Sequence, residues 1–428
     1  MFDKDKVHKL RKKYISQSFS LSYWEPLYIA HGKGQYLYDD KEKKYLDAIN
    51  NIQHVGHSHP KVLEATITQL KKLNTNTRYL NDEIGKYAEN LISRMPEKLN
   101  TCFFTNSGSE SNDLALRIAH NYTGSNETIV LDGAYHGHLI SLIGISPYKF
   151  DGPGGTGAGK NVHVAPTPDI FRGKYKGKNA SDQYVEELNK IILNIHKSNK
   201  KISAFFSEAI MGCGGQIFPP KHFLKNAYDL IRKNSGLCIA DEVQIGFGRT
   251  GSHFWGFETQ DVVPDIITIG KSMGNGHPIS ALITTKEIAS TFNNGMEYFN
   301  SFGGNPVSCA IGHSVLKIID EEGLQSNALQ VGNLLKKLLN QLKTIHPIIG
   351  DVRGKGLFFG IELVNDEKEL KPLPNVAEKV INKMKDNGIL LSTDGPDHNV
   401  IKIKPPMVFN EQNAYFLTEN LDLVLSNI

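Results

Sequence analysis

The stretch PDIITIGKSMGNGHP, residues 264–278, places a lysine directly after a run of β-branched apolar residues. Residues 265–270 have the composition of a buried strand, and glycine and proline follow Lys271. Ligands of open α/β sheets bind beside the carboxyl ends of the strands. Lys271 therefore stands where a functional residue is expected, and its partners should lie at the ends of neighbouring strands.

Similar apolar runs recur on both sides of this stretch and alternate with helical segments such as 110–122 and 180–198. Fully apolar strands are typical of parallel sheets that helices cover on both faces. We therefore predict an α/β fold whose large domain, residues 55–305, has a mostly parallel central sheet flanked by helices. The strand candidates are TCFFTNS, TIVLD, NVHVAP, ISAFFSEA, GLCIADEV and DIITIG.

The two ends of the chain differ from this central block. Residues 35–48, QYLYDDKEKKYLDA, are two alternating runs around a polar turn, which predicts a hairpin. Residues 306–428 contain a helical stretch at 333–345 and a late strand in NVIKIKPPM. We expect the N-terminal segment 1–54 to join this C-terminal portion in one small α+β domain.

The composition describes an ordinary globular protein. The 428 residues are 39% apolar and 22% charged with a net charge of +3, which favours neither nucleic acid nor an anionic membrane as a partner. No apolar run approaches the roughly 20 residues that span a bilayer, and the polar start lacks the core of a signal peptide, so we expect a cytoplasmic location. The cysteines are far apart, without a CxxC pair, and are interpreted as reduced packing residues.

Two segments resemble functional motifs without their context. GGTGAGKN, residues 154–161, has Asn161 where a P-loop needs serine or threonine, and it runs into a strand rather than a helix, which favours a surface loop. The histidines of HVGHSHP lack the helix and carboxylate of a zinc hydrolase motif. Since Pro60 is expected to begin a helix, these histidines are interpreted as loop packing.

Polar groups follow two other strand candidates. After FFT, the residues Ser107, Gly108 and Ser109 precede a helix, an arrangement that can bind phosphate through free N–H groups, although a serine there can also be a plain N-cap. After TIVLD come Tyr135 and His136. The tyrosine ring could lie over a flat ligand or belong to the core.

The strand candidate GLCIAD ends in two acids. Asp241 and Glu242 would be costly at the end of an apolar strand without partners, and with Gln244 they indicate a polar site. A lysine in an apolar site can form a Schiff base, and a buried aspartate can keep a pyridine nitrogen protonated. A phosphate cradle, a stacking ring, Asp241 and Lys271 are together the parts that a pyridoxal phosphate enzyme needs.

These motifs resemble the class III aminotransferases, pyridoxal 5'-phosphate enzymes of fold type I, over nearly the whole chain. The resemblance rests on TNSGSESND, AYHGH, IADEVQIGFGRTG, IGKSMGNGHP, SFGGNPVSCA and DVRGKGLFFGIEL. It implies that Lys271 carries the cofactor, that Asp241 pairs with the pyridine nitrogen, and that Tyr135 stacks on the ring. It further implies cofactor contacts from Ser107, Gly108, Ser109, His136, Glu208, Gln244 and Ser301.

The resemblance also implies assembly and has two departures. Ser301 would reach the cofactor phosphate of a neighbouring subunit, so a homodimer with shared active sites is expected, and a tetramer is possible. Ser301 stands where threonine is usual, which keeps the hydroxyl. Ala209 stands where proline is usual, which weakens the match beside Glu208.

A narrower likeness points to the phospho-lyase branch of this family, which acts on ethanolamine phosphate or phosphohydroxylysine. It rests on SPYKF, VHVAPTPDIFRGKY, CGGQIFPP, GMEYFNSFGGNPVSCA and STDGPDHNVIKIKPPM. An extra anion needs an extra cation, which makes Lys149, Arg172 and Lys174 candidates for a substrate phosphate, with exposed loop charges as the alternative. Arg353 aligns with an arginine that clamps a substrate carboxylate in many relatives, and a loop salt bridge is its alternative.

Three functions remain open from the sequence. A phospho-lyase would expel phosphate and ammonia from a phosphorylated amine, and a transaminase would pass the amino group of an amine or omega-amino acid to a keto acid. A binding protein on a borrowed fold is disfavoured because Lys271 and Asp241 are both present. In each case the partner is a small-molecule amine rather than a nucleic acid or a membrane.

Overall fold

The computed structural model describes residues 3–366 and 368–428. Its strands are β1 (Ile29–Lys33), β2 (Tyr36–Asp39), β3 (Lys44–Asp47), β4 (Thr101–Thr105), β5 (Glu127–Leu131), β6 (Val162–Ala165), β7 (Ile202–Ser207), β8 (Leu237–Asp241), β9 (Ile266–Ile269), β10 (Ser280–Thr284), β11 (Ile349–Lys355), β12 (Phe358–Leu363), β13 (Ile389–Leu390), β14 (Ser392–Asp394) and β15 (Val400–Ile403). Its α-helices are α1 (Lys4–Tyr14), α2 (Pro60–Lys72), α3 (Asp82–Ile92), α4 (Gly108–Thr123), α5 (Ile140–Ile143), α6 (Pro147–Phe150), α7 (Ala180–Lys197), α8 (Phe223–Lys233), α9 (Lys286–Thr291), α10 (Pro306–Glu321), α11 (Leu324–Ile345), α12 (Pro374–Asp386) and α13 (Glu411–Leu425).

The central sheet has the strand order β4-β10-β9-β8-β7-β5-β6. The six strands that the sequence predicts for this sheet run in one direction, and the parallel pairs run from β6 to β9. Strand β10 is the exception, because it pairs antiparallel with both β4 and β9. Strand β10 was not predicted, and its sequence SALIT is as apolar as the neighbouring strands and carries no local mark of direction.

The strands are apolar on both faces because both faces are covered. Successive residues of β7 show this, since Phe205 belongs to the main core and Phe206 to a second core on the opposite side. Helices α7 and α8 pack into the main core, and α4 packs into the second. The predicted α/β class is confirmed, and the burial of both faces is its physical reason.

Two smaller sheets flank the central one. Strands β1, β2, β3 and β13 form the first, in which β2 and β3 are the predicted hairpin. Strand β13 pairs parallel with β3, so the C-terminal portion touches the N-terminal segment. Strands β11, β12, β15 and β14 form the second, antiparallel throughout. The domain bounds 1–54, 55–305 and 306–428 stay a prediction.

Candidate active site

A cavity of about 120 Å³ lies at the carboxyl ends of the parallel strands. Strands β4, β5, β7, β8 and β9 all end there, and a residue at the end of each strand or within four residues after it contributes to the cavity wall. The lining residues are Ser107, Gly108, Ser109, Asn112, Tyr135, His136, Gly137, Glu208, Asp241, Val243, Gln244 and Lys271. All predicted cofactor contacts except Ser301 therefore meet in one place.

Asp241 is held by donors on every side. Its Oδ2 accepts hydrogen bonds from Asn112 Nδ2 and from His136 Nδ1, both at 2.9 Å, and its Oδ1 accepts one from the Val243 N–H at 3.1 Å. The carboxylate is 5% exposed. Since a carboxylate only accepts, His136 donates from Nδ1, and the orientation of Asp241 is fixed.

The amino end of α4 forms the other end of the cavity. Ser107 is the N-cap, with its Oγ accepting from the Glu110 N–H at 3.2 Å, and Ser109 Oγ accepts from the His138 N–H at 3.0 Å. The first N–H groups of a helix have no partner within it, so they remain available to an anion. The N-cap reading and the anion-site reading of the sequence are thus compatible.

Glycine at position 108 is required by its surroundings. A Cβ on Gly108 would lie 2.8 Å from Val243 Cγ1, closer than side chains approach one another. A Cβ on Gly270, just before Lys271, would lie 3.3 Å from the Gly108 Cα. The backbones of α4 and of the lysine loop therefore approach closely beside the cavity.

Glu208 and Gln244 line the side of the cavity between its two ends. Glu208 Oε2 accepts from the Gly212 N–H at 2.8 Å, while its Oε1 is buried without a hydrogen-bond partner among the described residues. Burial, and next the charge of Asp241, raise the pKa of Glu208 to about 7. Gln244 Oε1 accepts from Lys404 Nζ at 3.0 Å, so its Nε2 turns toward Cys213 Sγ, 3.6 Å away.

Aromatic rings close the outer side. The rings of Tyr135 and Tyr148 meet edge to face with centroids 6.3 Å apart, and Lys149 Nζ lies 5.9 Å from the first centroid and 5.5 Å from the second. Tyr135 is half-buried, and this burial raises its pKa. The ring is available to the cavity rather than buried in the core.

The candidate substrate cations have different surroundings. Lys149 is exposed and forms no ion pair within the described part of the chain. Arg172 pairs with Glu362 and, at 2.7 Å, with Asp397, and Lys174 pairs with Glu187 at 3.2 Å. These pairs favour the structural alternative for Arg172 and Lys174, whose substrate roles stay predictions.

Arg353 is also engaged. It contacts Glu362 at 2.6 Å and Asp351 at 3.1 Å, and it donates to the Gly215 carbonyl. A substrate carboxylate would have to displace these partners. Ser301 is exposed and lies outside the cavity of its own chain, where contact with a neighbouring subunit stays a prediction.

The sequence did not indicate the contacts of three residues. Glu242 faces away from the cavity and accepts from the N–H groups of Gly256 and Phe257, at 2.7 and 2.8 Å. Asn112 was overlooked, although its place one helical turn after Ser109 is a signal that could have found it. Lys404 was overlooked too, because it follows β15, a strand of the C-terminal sheet that is distant in sequence from the other site residues.

The two misleading motifs have local explanations. Residues 154–161 are mostly exposed and lead directly into β6, as expected for a surface loop. His54 Nε2 contacts the Phe247 carbonyl at 2.7 Å, His57 Nε2 contacts Asp47 at 2.7 Å, and His59 caps α2. Each of the three imidazoles thus has its own partner in the packing.

Comparison with known proteins agrees with this geometry. The family model for aminotransferase class-III matches residues 21–425. This chain belongs to the class III aminotransferase family. It is 50% identical to the alanine–glyoxylate aminotransferase 2-like protein of Drosophila melanogaster, over 96% of this chain and 85% of that one. It is 42% identical to the ethanolamine-phosphate phospho-lyase homolog 1 of Caenorhabditis elegans, over 99% and 94%.

Solved structures extend the class III likeness. A phospholyase from Arthrobacter in complex with phosphoethanolamine superposes with a TM-score of 0.94 at 37% identity, covering 99% of this chain and 100% of that one. The family and its fold type I are thereby confirmed, and this class III protein is a pyridoxal 5'-phosphate-dependent enzyme. Within the described part of the chain, no helix combines the length and apolar character needed to cross a membrane.

Proposed function

We propose that this enzyme is a phospho-lyase that releases inorganic phosphate and ammonia from a phosphorylated amine such as ethanolamine phosphate or 5-phosphohydroxylysine. The observation that carries the proposal is the likeness, over the full length, to a phospholyase that was solved with phosphoethanolamine. The name of the Caenorhabditis elegans relative supports the same chemistry. The Drosophila melanogaster relative is named for aminotransfer, so a transaminase is the second candidate.

The residues around the cavity fit pyridoxal phosphate in polarity. The N–H groups at the start of α4 would hold the phosphate of the cofactor, with Ser107, Gly108 and Ser109 around it. A Cβ at position 108 would occupy the narrow space between α4 and the loop after β8, so glycine keeps this cradle open. The unpartnered Glu208 Oε1 faces a cavity that needs a polar occupant.

The remaining contacts would orient the ring. Asp241, held by Asn112 and His136, would pair with the ring nitrogen, and Tyr135 would stack on the ring. Gln244 would donate its Nε2 to the ring hydroxyl, because Lys404 occupies its Oε1. Lys271 would bind the cofactor aldehyde.

The reaction then needs one base and a good leaving group. When bound, the cofactor withdraws electrons from the substrate carbon that carries the nitrogen. Lys271 Nζ would remove a proton from that carbon, and the phosphate on the adjacent carbon would depart with its bonding electron pair. Hydrolysis leaves an aldehyde, ammonia and inorganic phosphate. A transaminase would use the same proton removal by Lys271 on a substrate without a leaving group, and it would require a keto acid to accept the amino group.

A phosphate-release assay separates the two candidates. Purified enzyme given phosphoethanolamine without any keto acid should release phosphate and ammonia in equal amounts, together with acetaldehyde. The control is ethylamine, which lacks a leaving group and should release nothing. Strict dependence of turnover on a keto acid would reject the lyase and favour the transaminase.

Assembly completes the proposal. A homodimer with Ser301 near the partner's cavity is supported by the exposed apolar side chains around it, Phe302 at 71% and Met296 at 69%. Leu80 and Ile140 are exposed even more fully.

A further inference from the structure

A cluster of two lysines and one aspartate lies directly behind Gln244. Lys404 Nζ contacts Asp394 Oδ2 at 3.3 Å, and Lys402 Nζ contacts Asp394 Oδ1 at 3.0 Å. The side chains of Lys404 and Asp394 are 2% and 4% exposed, and that of Lys402 is 23% exposed. Two ammonium groups therefore share one carboxylate in a largely buried place.

The other groups around the cluster do not balance this charge. Gln216 Nε2 donates to Asp394 Oδ2 at 2.8 Å, which adds another donor to the same carboxylate. Glu208 is close enough to act on Lys404, but it accepts from Gly212, and its pKa of about 7 leaves it partly protonated at neutral pH. Burial lowers the pKa of Lys404 even though Asp394 opposes this. A buried cation in excess is unfavourable unless an anion joins it.

The cluster adjoins the cavity that contains Lys271. Lys404 Nζ lies 3.0 Å from Gln244 Oε1, and Gln244 lines that cavity. The Gly395 N–H donates to the Cys213 carbonyl at 2.9 Å, which ties the end of β14 to the loop after β7. Burial, and next the charge of Asp394, raise the pKa of the Tyr148 hydroxyl, so this aromatic residue lies near the same carboxylate.

The ammonium groups have donors to spare. A lysine ammonium has three donors, and within the described part of the chain Lys404 donates hydrogen bonds to Asp394 and Gln244 and lies 4.7 Å from the centroid of the Phe358 ring. Lys402 has Asp394 as its one charged partner within the described part of the chain. The guanidinium and ammonium groups of Arg172, Lys174 and Arg353 are instead each paired with carboxylates.

We propose that Lys402 and Lys404 form the subsite that binds the phosphate group of the substrate, at the side of the cavity next to Gln244. The assignment rests on the proposed lyase function, because a phosphorylated amine brings a second phosphate into the cavity beside that of the cofactor. As the carbon–oxygen bond breaks, the departing phosphate takes the electron pair, and hydrogen bonds from the two ammonium groups stabilise its negative charge. Lys402 and Lys404 thus determine specificity for phosphorylated amines.

Ligand binding tests the subsite apart from turnover. The ligand is 2-aminoethylphosphonate, whose carbon–phosphorus bond cannot release phosphate, and ethylamine is the matched ligand without an anion. Both are titrated into cofactor-loaded wild type, Lys404→Met, Lys402→Met and the control Lys225→Met, in which an exposed lysine of α8 is lost. Visible absorbance and calorimetry both report binding.

We expect Lys404→Met to weaken phosphonate binding by about 10- to 100-fold, as for a lost hydrogen bond to a charged group. Lys402→Met should weaken it by about 5-fold or more, since that lysine is more solvated. Ethylamine affinity should not change in Lys402→Met, and in Lys404→Met it should fall far less than phosphonate affinity, since the loss of Lys404 also frees the Gln244 amide that it holds. Lys225→Met should match wild type for both ligands. Lys404→Arg keeps the charge and should retain part of the phosphonate affinity.

Several outcomes would overturn the assignment. One is phosphonate affinity that equals wild type in both methionine variants, and another is an equal loss of affinity for both ligands, which would indicate a merely structural role. If Lys404→Met does not fold, unchanged phosphonate affinity in Lys402→Met is sufficient to reject the subsite.

Failure of the subsite and failure of the lyase function give different results. Suppose that wild type releases no phosphate from phosphoethanolamine but binds the phosphonate more tightly than ethylamine, and that Lys404→Met loses this preference. The subsite then stands and the lyase function falls. If phosphate is released while both methionine variants keep their phosphonate affinity, the lyase function stands and the subsite falls.

Discussion

Lys271 is the residue on which the proposed chemistry depends. It lines the cavity together with Asp241, and it forms no ion pair within the described part of the chain. A lysine that is already paired with a carboxylate would be a poorer nucleophile, so the lack of such a pair suits attachment to an aldehyde. Its neighbour Gly270 permits the close approach of α4, which keeps the lysine beside the phosphate cradle.

Replacing this lysine tests its role directly. Lys271→Ala should abolish the absorption band of the cofactor linked to the protein and lower the rate of phosphate release by at least about 100-fold, because covalent attachment and the base are lost together. Absorption spectra and the phosphate assay measure these effects. Lys225→Ala is the control, and a Lys271→Ala variant whose spectrum and rate equal those of wild type would contradict the assignment.

Glu208 gives a prediction about pH. Its pKa is about 7 in the folded protein, against an ordinary value of 4.5, mainly because it is buried. Between these pH values the folded state holds a proton that the unfolded state releases, so stability falls as the pH rises through this window. Glu208→Gln cannot ionise, and it should remove this contribution, which is roughly 1 to 3 kcal/mol.

The measurement is the thermal midpoint of the cofactor-free protein from pH 5 to pH 8. Wild type should lose several degrees more than Glu208→Gln over this range. Glu242, whose pKa burial raises to about 8, contributes in the same direction in both proteins and cancels in the comparison. Parallel curves for the two proteins would show that Glu208 does not titrate in this window.

Helix α4 connects backbone geometry to cofactor affinity. Its amino end faces the cavity, and its first residue, Gly108, touches the side chain of Val243 on the loop after β8. An added Cβ there, at 2.8 Å from Val243 Cγ1, has no space unless the helix or the loop shifts. A shift would move the N–H groups away from the cofactor phosphate.

Gly108→Ala should therefore weaken cofactor binding. A misfit of this size costs about 1 to 3 kcal/mol, which corresponds to roughly a 5- to 100-fold higher Kd for pyridoxal phosphate. Fluorescence or absorbance titration of the cofactor-free protein measures it. Gly85→Ala in α3 is the matched control, because a Cβ there meets nothing within 4 Å, and equal cofactor affinity in the two variants would refute the role of Gly108.

The C-terminal sheet is a second element whose position matters for the site. Strands β14 and β15 carry Asp394 and Lys402 and lead to Lys404, which reaches Gln244 of the central domain. The buried Arg249 strengthens this junction, since it donates to the carbonyls of Leu357 and Pro405. The cavity wall beside Gln244 is thus supplied by residues far away in the sequence.

The full chain presents apolar side chains that a monomer would leave in water. Leu80, Ile140 and Phe302 are 106%, 95% and 71% exposed. Ser301, predicted to serve a neighbouring subunit, lies directly beside Phe302. Large apolar side chains with this degree of exposure favour a protein–protein interface.

We therefore expect a homodimer in solution. A charged residue introduced into its interface should weaken the association of the two subunits. Phe302→Asp should shift the mass from light scattering toward the monomer and lower cofactor affinity, because a charge in an apolar interface is unfavourable and Ser301 leaves the partner's site. Leu423→Asp, at an exposed site of α13, is the control. A monomeric wild type with full cofactor affinity would disprove the shared site.

Much of this protein could be read from local sequence. The alternation of apolar strands and amphipathic helices predicted the parallel sheet, because a strand that is buried on both faces is apolar along its whole length. Lys271, Asp241, Tyr135 and the Ser107–Ser109 turn were identified because each follows a strand, and parallel strands bring their carboxyl ends to one edge. For these residues local order in the chain was sufficient.

Long-range contacts decided the rest. The direction of β10, the turning away of Glu242, the pairing of Arg172 with Glu362, and the approach of Lys404 to Gln244 depend on partners distant in sequence. A local pattern records which residues are apolar, but it does not record which charged groups meet. Packing in three dimensions determines which charged groups pair, so the partners of each cation became known only from the tertiary structure.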